Sequence, residues 1–540
     1  MEVLKNNFEA ILPLIEKAVE EADYIAIDTE LSGLGKQKLD VLDDSQERYT
    51  KLKEAATEHL IVQFGVCTFK WDAESKSYIA KPFNAYVYPR ASSRKLEIDR
   101  HFTVQSACFE FLAENKFDFN KWVSQGIPYL THEEEAEARR RIGGLRRDEV
   151  AVEETHREFV ENTIKTVNDW LQNSSEKVVS VACPTSFHRL LVHQEVKKRF
   201  GAALGTDGKY GAVEVSKLTE EERKYRSVGK EAQLEMELNQ LIGFRKVIDA
   251  ISQSGSIVLG HNMFLDLCHT FQQFNRTLPA DLEEFRREVH DLFPQIIDTK
   301  HLARSNPKLS RLQDTGLGAV MEEVQKYPFV SPKISIDPDC GTYETAFHEA
   351  GYDAYATGVA FLRMTAYAEG CGDTEISKES PTVTAVMNKL NLMKSDVPTL
   401  NLVGPQETRD RSHVFRVYGF SDGVKTKDVM EEFQPRAGDI SIQWINLSSC
   451  FITLKDPGKA EEFNKSLDGE DKKFHYEIES WEAYKAKNGQ GSGLSSSTSQ
   501  QATPKRKLGL ESPVGKSESS HKRTKTDQSS DGEKAECAVM

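Results

Sequence analysis

The spacing of apolar residues changes several times along the chain, and each change marks an element. In MEVLKNNFEAILPLIEKAVEEADY, apolar positions recur at helical spacing between acidic ones, which predicts an amphipathic helix. The segment 24–30, YIAIDTE, is a dense apolar run closed by Asp-x-Glu and predicts a buried strand. Runs at 60–69, 78–89 and 256–260 predict three more strands, so the chain opens as an α/β or mixed sheet. Residues 133–165 are highly charged at helical spacing and read as a solvated helix and linker. The sheet pattern breaks over 160–235, where a helix at 167–173, a short strand at 177–182 and a helix at 185–200 precede a strand and a charged helix. It resumes at 240–300, so the intervening stretch reads as an insertion. Helices dominate 341–395, and 413–480 reads β-α-β-β with a further strand near 474–478. From about 488, Ser, Gly, Gln and Lys replace aromatics, which predicts a disordered tail. No internal repeat is evident.

Composition narrows the class. A chain of 540 residues allows roughly two to four domains, and 38% hydrophobic with 29% charged residues suits a sizeable core. The net charge of −15, from 70 basic and 85 acidic residues, argues against holding nucleic acid by global positive charge. It leaves a local basic groove or a metal site open. The eight cysteines form no C-x-x-C pair, so neither a zinc site nor a disulfide framework is indicated, and a reducing compartment is the simpler reading. The N-terminus lacks the basic region of a signal peptide, and no run of eighteen apolar residues predicts a membrane span.

Three short motifs carry candidate chemistry. A strand has period two, so Asp28 and Glu30 share a face. Two carboxylates that close disfavour double ionisation unless a cation sits between them, and hard oxygen ligands suit Mg²⁺ or Mn²⁺. Gly260-His261-Asn262-Met263-Phe264-Leu265-Asp266 follows the 256–259 run and is expected to open a helix over 262–274, with Asn262 and Asp266 on one face. His348-Glu349-Ala350-Gly351-Tyr352-Asp353 precedes an apolar stripe. On one continuous helix His348 and Asp353 would diverge by roughly 140°. The simpler picture puts His348 on a loop and Asp353 on the first turns, with Gly351 supporting the break. Asp298, in FPQIIDTK, is a rival carboxylate.

Asp-x-Glu, then Asn-x3-Asp, then His-x4-Asp resembles the DEDD exonucleases of the His-containing subtype. With EADYIAIDTELSGL, VQFGVCTFK, FDFNKWVSQGIPYL, IVLGHNMFLD and HEAGYDAY, the chain over nearly all of 1–480 is similar to the poly(A)-specific ribonuclease family. The resemblance implies a ribonuclease H-like core, a mixed sheet flanked by helices, over 1–155 and 236–400. It implies an inserted nucleic-acid-binding domain over 156–235 and an RNA-recognition-type domain over 410–485, with 488–540 as the disordered basic tail. It also implies a 3′-to-5′ exoribonuclease that removes poly(A) and releases 5′-AMP with two Mg²⁺ ions, Mn²⁺ being able to substitute. Asp28, Glu30, Asp266 and Asp353 would hold the ions, and His348 would take the proton of the attacking water. Leu31, Leu34, Phe109, Phe111, Asn262 and Lys300 match positions near the terminal nucleotides, Lys300 toward phosphate. Core packing is the plain alternative for both phenylalanines. The family usually has an aromatic where this chain has Leu31, which weakens stacking there and puts strict adenosine preference in doubt.

The resemblance extends to the accessory regions. Arg189 and His193 form the Arg-x3-His pair of the inserted domain, with a surface helix as the plain alternative. In the C-terminal module Phe415 and Val417 on a first strand, and Phe451 and Thr453 on a later one, would supply part of an RNA platform. Trp444 is the exposed aromatic that would stack on the mRNA 5′ cap, or else pack in the core. A homodimer is implied by resemblance alone. The basic clusters Pro504–Lys507 and His521–Lys525 look like a nuclear import signal, consistent with nucleus and cytoplasm. The last four residues, Cys537-Ala538-Val539-Met540, fit a prenylation box that chance would also produce. A trimmer of small non-coding RNAs such as piRNA precursors, a DNA exonuclease and a catalytically inactive RNA-binding scaffold are the competing readings.

Overall fold

The computed structural model describes residues 1–91, 98–143, 150–223, 236–341, 347–421, 423–467 and 475–488. They fall into two units, one from Met1 to Glu407 and one beginning at Thr408. The basic clusters and the terminal Cys-Ala-Val-Met lie outside the described residues. No helix among the described residues is long and apolar enough to cross a membrane.

The strands of the first unit are β1 (Glu2–Val3), β2 (Tyr24–Leu31), β3 (Ile61–Asp72), β4 (Ser77–Tyr86), β5 (Val178–Ala182), β6 (Leu204–Lys209), β7 (Ala212–Lys217), β8 (Ile257–Gly260), β9 (Ile296–Asp298), β10 (Lys333–Ile336), β11 (Lys389–Asn391) and β12 (Thr399–Asn401). Nine of them make one mixed sheet, in the order β1-β4-β3-β2-β8-β9-β11-β12, with β10 also on β4. β2, β3 and β4 are antiparallel neighbours, whereas β2, β8, β9 and β11 run parallel. Helices cover both faces, as the fold class expected from sequence requires.

Alternation along β2 decides which residue meets which layer. Ile25, Ile27 and Leu31 enter a core with the helices Phe8–Glu21, Ser45–Glu58 and Phe264–Thr270. Tyr24 and Ala26 enter the opposite core, with the helices Leu317–Val324 and Ala350–Glu369. By parity Asp28 and Glu30 continue the second face and Thr29 the first. β8 pairs with β2 only as far as Ala26 opposite Leu259. Asp28 and Glu30 therefore project beyond the carboxyl end of the neighbouring parallel strand, where open sheets gather ligands.

The solvated linker expected over 133–165 gives way to packed structure from Glu154 onward. Glu154–Asn173 is one helix, and its stripe Val160, Ile164, Val167 and Trp170 is buried. That stripe packs with Leu191, Val192 and Val196 of the helix Ser186–Phe200 on Val181, Val213 and Val215 of the antiparallel sheet β5-β7-β6. The high charge of the helix lies on its other faces, which masked the apolar period.

The second unit contains β13 (Val414–Tyr418), β14 (Ile440–Asn446), β15 (Ser449–Leu454) and β16 (Glu477–Ser480), in the antiparallel order β14-β15-β13-β16. The helices Thr426–Ala437 and Ala460–Leu467 contribute Val429, Phe433 and Phe463 to its core. Phe415 and Val417 are fully buried in that core, so they form no platform. The outward residues of β13 are the intervening ones, Arg416 and Tyr418. Phe451 does lie on that outward face, opposite Arg416, but Trp481 and Tyr484 of the helix Trp481–Asn488 cover it at ring distances of 5.5 and 5.2 Å.

Candidate active site

The helix Ala350–Glu369 meets β3 backbone to backbone at its start, and further along its Gly358 makes room for a β3 ring. A Cβ on Gly65 would lie 1.9 Å from the Ala350 carbonyl oxygen, and one on Gly358 would lie 2.0 Å from the Phe69 ring. Its first N–H groups, which have no partner inside the helix, donate to buried side chains of the sheet. The Ala350 N–H donates to Gln63 Oε1 and the Gly351 N–H to Asn84 Oδ1, both at 3.0 Å, and Asn84 Nδ2 donates to Glu349 Oε1 at 2.7 Å. Gly65 is the β3 partner of Asp28, and Gln63 that of Glu30. The docking that holds the helix therefore sets Asp353, in its first turn, against the acidic end of β2.

His348 lies before this helix, and its backbone N–H donates to Asp353 Oδ2 at 3.0 Å. The chain turns at His348 itself, with φ of +71°, whereas Gly351 is already helical. The break expected at Gly351 thus falls three residues earlier, because Asp353 accepts the His348 N–H and holds the turn. Glu30, His348 and Asp353 each bring a ligand atom within 4.8 Å of the others.

Asp266 arrives from the opposite side of the sheet. Its helix starts at Phe264 rather than at 262, and Asn262 has a φ of +60°. The physical reason is Asp298, fully buried on β9. Its carboxylate accepts the N–H groups of Asn262 at 2.9 Å, Met263 at 3.3 Å, Lys300 at 3.0 Å, His301 at 3.3 Å and Asn391 at 3.0 Å. That network fixes the loop and delays the helix. Asn391 Nδ2 donates to Asn262 Oδ1 at 2.7 Å, so the amide oxygen of Asn262 already has a structural partner. Thr29, which the sequence reading passed over, donates its hydroxyl to Asp266 Oδ1.

These groups share one cavity of about 100 Å³, lined by Asp28, Thr29, Glu30, Asp266, His348 and Asp353 on its polar side. Leu31, Leu34, Cys108, Phe111, Leu112 and Leu265 form the apolar side. Phe111 sets its ring 4.7 Å from that of His348, nearly perpendicular. Phe109, on another face of the same helix, is not among the lining residues; it packs on Phe119 at 4.6 Å and Trp122 at 6.2 Å. Burial, and to a smaller degree the nearby half-buried Lys300, lowers His261, another lining residue, to about 3. His261 itself is neutral, with Nδ1 2.8 Å from Thr299 Oγ1 and Nε2 3.0 Å from the Thr315 carbonyl.

The electrostatics call for positive charge. Burial, reinforced by Asp353 and Asp266, raises Asp28 and Glu30 well above the ordinary carboxylate range; Glu30 adds to the effect on Asp28. Burial pushes Asp266 up to about 6 and Asp353 up to about 7, against the opposing hydrogen bonds from Thr29 and the His348 N–H. Asp353 Oδ1 is buried and has no hydrogen-bond partner among the described residues. Four crowded carboxylates, one with an unpartnered oxygen, fit a hard divalent cation such as Mg²⁺ or Mn²⁺. Burial lowers His348 below its ordinary value.

The remaining predicted residues lie elsewhere. Arg189 donates to Ser186 Oγ at 2.9 Å and to the Lys209 carbonyl at 3.3 Å, and His193 Nδ1 is 2.8 Å from Thr206 Oγ1. Both side chains thus tie the Ser186–Phe200 helix to the β6–β7 hairpin. In the second unit Trp444 is half-buried, 5.2 Å from Phe420, and its Nε1–H donates to Thr426 Oγ1 at 3.0 Å.

Residues 3–361 match the CAF1 family ribonuclease model, and residues 404–487 match an RNA binding domain. The chain belongs to the CAF1 family of ribonucleases. Within that family it is similar to poly(A)-specific ribonuclease PARN of Xenopus laevis, 35% identical over 495 residues that cover 85% of this chain and 78% of that protein. It is 26% identical over 465 residues to the pre-piRNA 3′-exonuclease trimmer of Bombyx mori, covering 82% of this chain and 86% of the other. Among solved structures, S. pombe Pop2p in its Mg²⁺- and Mn²⁺-bound form is 15% identical with a TM-score of 0.36, covering 72% of this chain and 97% of that one.

Proposed function

We propose that this chain is a divalent-metal-dependent exoribonuclease that shortens RNA from its 3′ end, with poly(A) as substrate and 5′-AMP as product. One observation carries the reading: four carboxylates and a half-buried histidine converge on one cavity in a chain similar to a poly(A)-specific ribonuclease. Asp28, Glu30, Asp266 and Asp353 would hold the metal, two ions in our reading. When bound, such ions stabilise charge on phosphoryl oxygens and acidify water.

The protein groups do the rest. Burial lowers the basicity of His348 and so favours the neutral imidazole, the form that can accept the proton of the attacking water. Asp353 fixes the turn that carries this ring, and the Phe111 ring limits its tilt. Leu31, Leu34 and Phe111 offer apolar surface to the last nucleotide, and Lys300 offers charge to phosphate. Because Leu31 supplies no ring, base stacking at that wall is weak and adenosine preference is less than strict.

The higher identity to PARN than to the piRNA trimmer, 35% against 26%, favours poly(A) over small-RNA trimming. Cap stacking on Trp444, homodimerisation and residence in nucleus and cytoplasm belong to this proposal through the family resemblance.

The test is hydrolysis of a labelled RNA with an oligo(A) 3′ end. Wild-type protein with Mg²⁺ should shorten it to 5′-AMP, and His348→Ala should slow it by roughly 10² or more. Asp28→Ala should stop it. An intact 3′ end with wild-type protein would end the proposal. Equal attack on the deoxyribose analogue would favour a DNA exonuclease, and equal attack on mixed-sequence 3′ ends would favour the trimmer.

A further inference from the structure

Asp266 is reached differently from its neighbours. Asp28, Glu30 and Asp353 meet on the sheet face packed by the helix Ala350–Glu369, whereas Asp266 comes from a helix on the other face. On that other face Asp266 is joined to the strand bearing Asp28 and Glu30 by the hydrogen bond from Thr29 Oγ1 to Asp266 Oδ1.

We infer that Thr29 is a positioning residue of the metal-binding cluster, tying the third carboxylate to the strand that carries the first two. The inference rests on the metal-site reading above and adds a residue to it. Strand alternation turns Thr29 away from Asp28 and Glu30 and toward the Phe264–Thr270 helix. Its branched Cβ restricts χ1, so the strand backbone itself aims the hydroxyl. Among the described residues no other side chain donates to the Asp266 carboxylate. Without the bond that carboxylate regains rotation about its own side-chain torsions and loses its fixed distance to β2.

Asp353 shows the same arrangement on the opposite face. Its Oδ2 accepts the His348 N–H, while Oδ1 has no partner among the described residues. Each helix-borne carboxylate is thus clamped through one oxygen, Asp266 by a side-chain hydroxyl and Asp353 by a backbone N–H. Donors that orient ligating carboxylates in this way are worth roughly 10–100-fold in metal affinity or activity. Only the Thr29 clamp can be removed by substitution, since the other is backbone.

The experiment compares full-length wild type, Thr29→Val and Thr29→Ser. Valine keeps the branched shape and removes the hydroxyl, and serine keeps the hydroxyl. Mn²⁺ binding is measured by calorimetry without RNA, and kcat and KM are measured on oligo(A). Thr29→Val should bind Mn²⁺ about 10-fold more weakly or worse and lower kcat while leaving the RNA KM close to wild type. Thr29→Ser should restore both. Unchanged Mn²⁺ affinity in Thr29→Val would overturn the inference. So would a folded Thr29→Ser that behaves like valine, because the effect would then be steric. Absence of Mn²⁺ binding by wild type itself would remove the metal-site reading on which the inference stands.

Discussion

Gly65 on β3 and Ala350 at the start of its helix meet backbone to backbone, with room for no Cβ: one placed on Gly65 would stand 1.9 Å from the Ala350 carbonyl oxygen. Gly65 is also the ladder partner of Asp28. The helix therefore reaches the sheet at the rung that bears the first carboxylate. Gly65→Ala must push the helix outward and carry His348 and Asp353 with it. The expected cost in stability is about 1–3 kcal/mol, and the expected loss of RNA hydrolysis is larger, roughly 10²-fold for a displacement of about 1 Å. Urea unfolding and kcat measured on one preparation check both. Normal kcat in a destabilised variant would show that Asp353 does not depend on this contact.

Metal-free protein should lose stability as pH rises. Burial raises all four carboxyl groups, Asp266 to about 6 and Asp353 to about 7, with Asp28 and Glu30 also raised. A carboxyl whose folded pKa is raised favours the folded state at pH below its unfolded value and loses that contribution as pH climbs through the folded one. The protein in EDTA should therefore melt lower at about pH 8.5 than at about pH 6.5. Asp28→Asn should raise the metal-free melting temperature at the higher pH, and Mg²⁺ should raise that of wild type more than that of the variant. Identical melting of wild type and Asp28→Asn in EDTA would contradict the crowded-carboxylate account.

Local pattern made the acidic end of β2 and the His348-to-Asp353 spacing legible, because strand period and helix angle depend only on neighbours. The placement of His348 before the helix followed from the same angle. What stayed hidden depends on partners far along the chain. Gln63 and Asn84 cap a helix whose first residue lies more than two hundred positions away, and Asp298 collects N–H groups from three segments. Thr29 sat between two noticed residues, but its partner Asp266 belongs to the opposite layer. In the second unit the error was one of phase: with period two, counting Phe415 and Val417 as outward placed core residues on the platform.

Phe109 and Phe111 are two positions apart on one helix and should fail differently. Phe111 lines the cavity beside His348, whereas Phe109 packs on Phe119 and Trp122. Phe111→Ala should lower kcat/KM on oligo(A) with a small effect on stability. Phe109→Ala should destabilise by about 2 kcal/mol, below the full-burial range because the ring is only partly buried, with kcat/KM retained. Melting curves and steady-state kinetics of the pair separate the roles, and a shared kinetic defect without destabilisation would move Phe109 back to the substrate.

His269 gives the fold an acid-sensitive point one turn beyond Asp266. It is fully buried, and neither ring nitrogen has a hydrogen-bond partner among the described residues. Burial, with a smaller contribution from His59, lowers its pKa to about 3. The unfolded chain takes up a proton near pH 6.5 that the folded chain refuses. The contribution to stability is thus complete above pH 6.5 and falls as pH drops toward 3, by up to about 1.4 kcal/mol per pH unit. His261 and His301, depressed to about 3 and about 4 by burial, act with the same sign. His269→Leu removes one of these groups and its unpaired polar atoms, so it should match or exceed wild-type stability at neutral pH. Near pH 5 its advantage should grow by about 2 kcal/mol. Urea unfolding of both proteins at the two pH values measures the difference directly, and an equal gap at both would assign the acid sensitivity to another group.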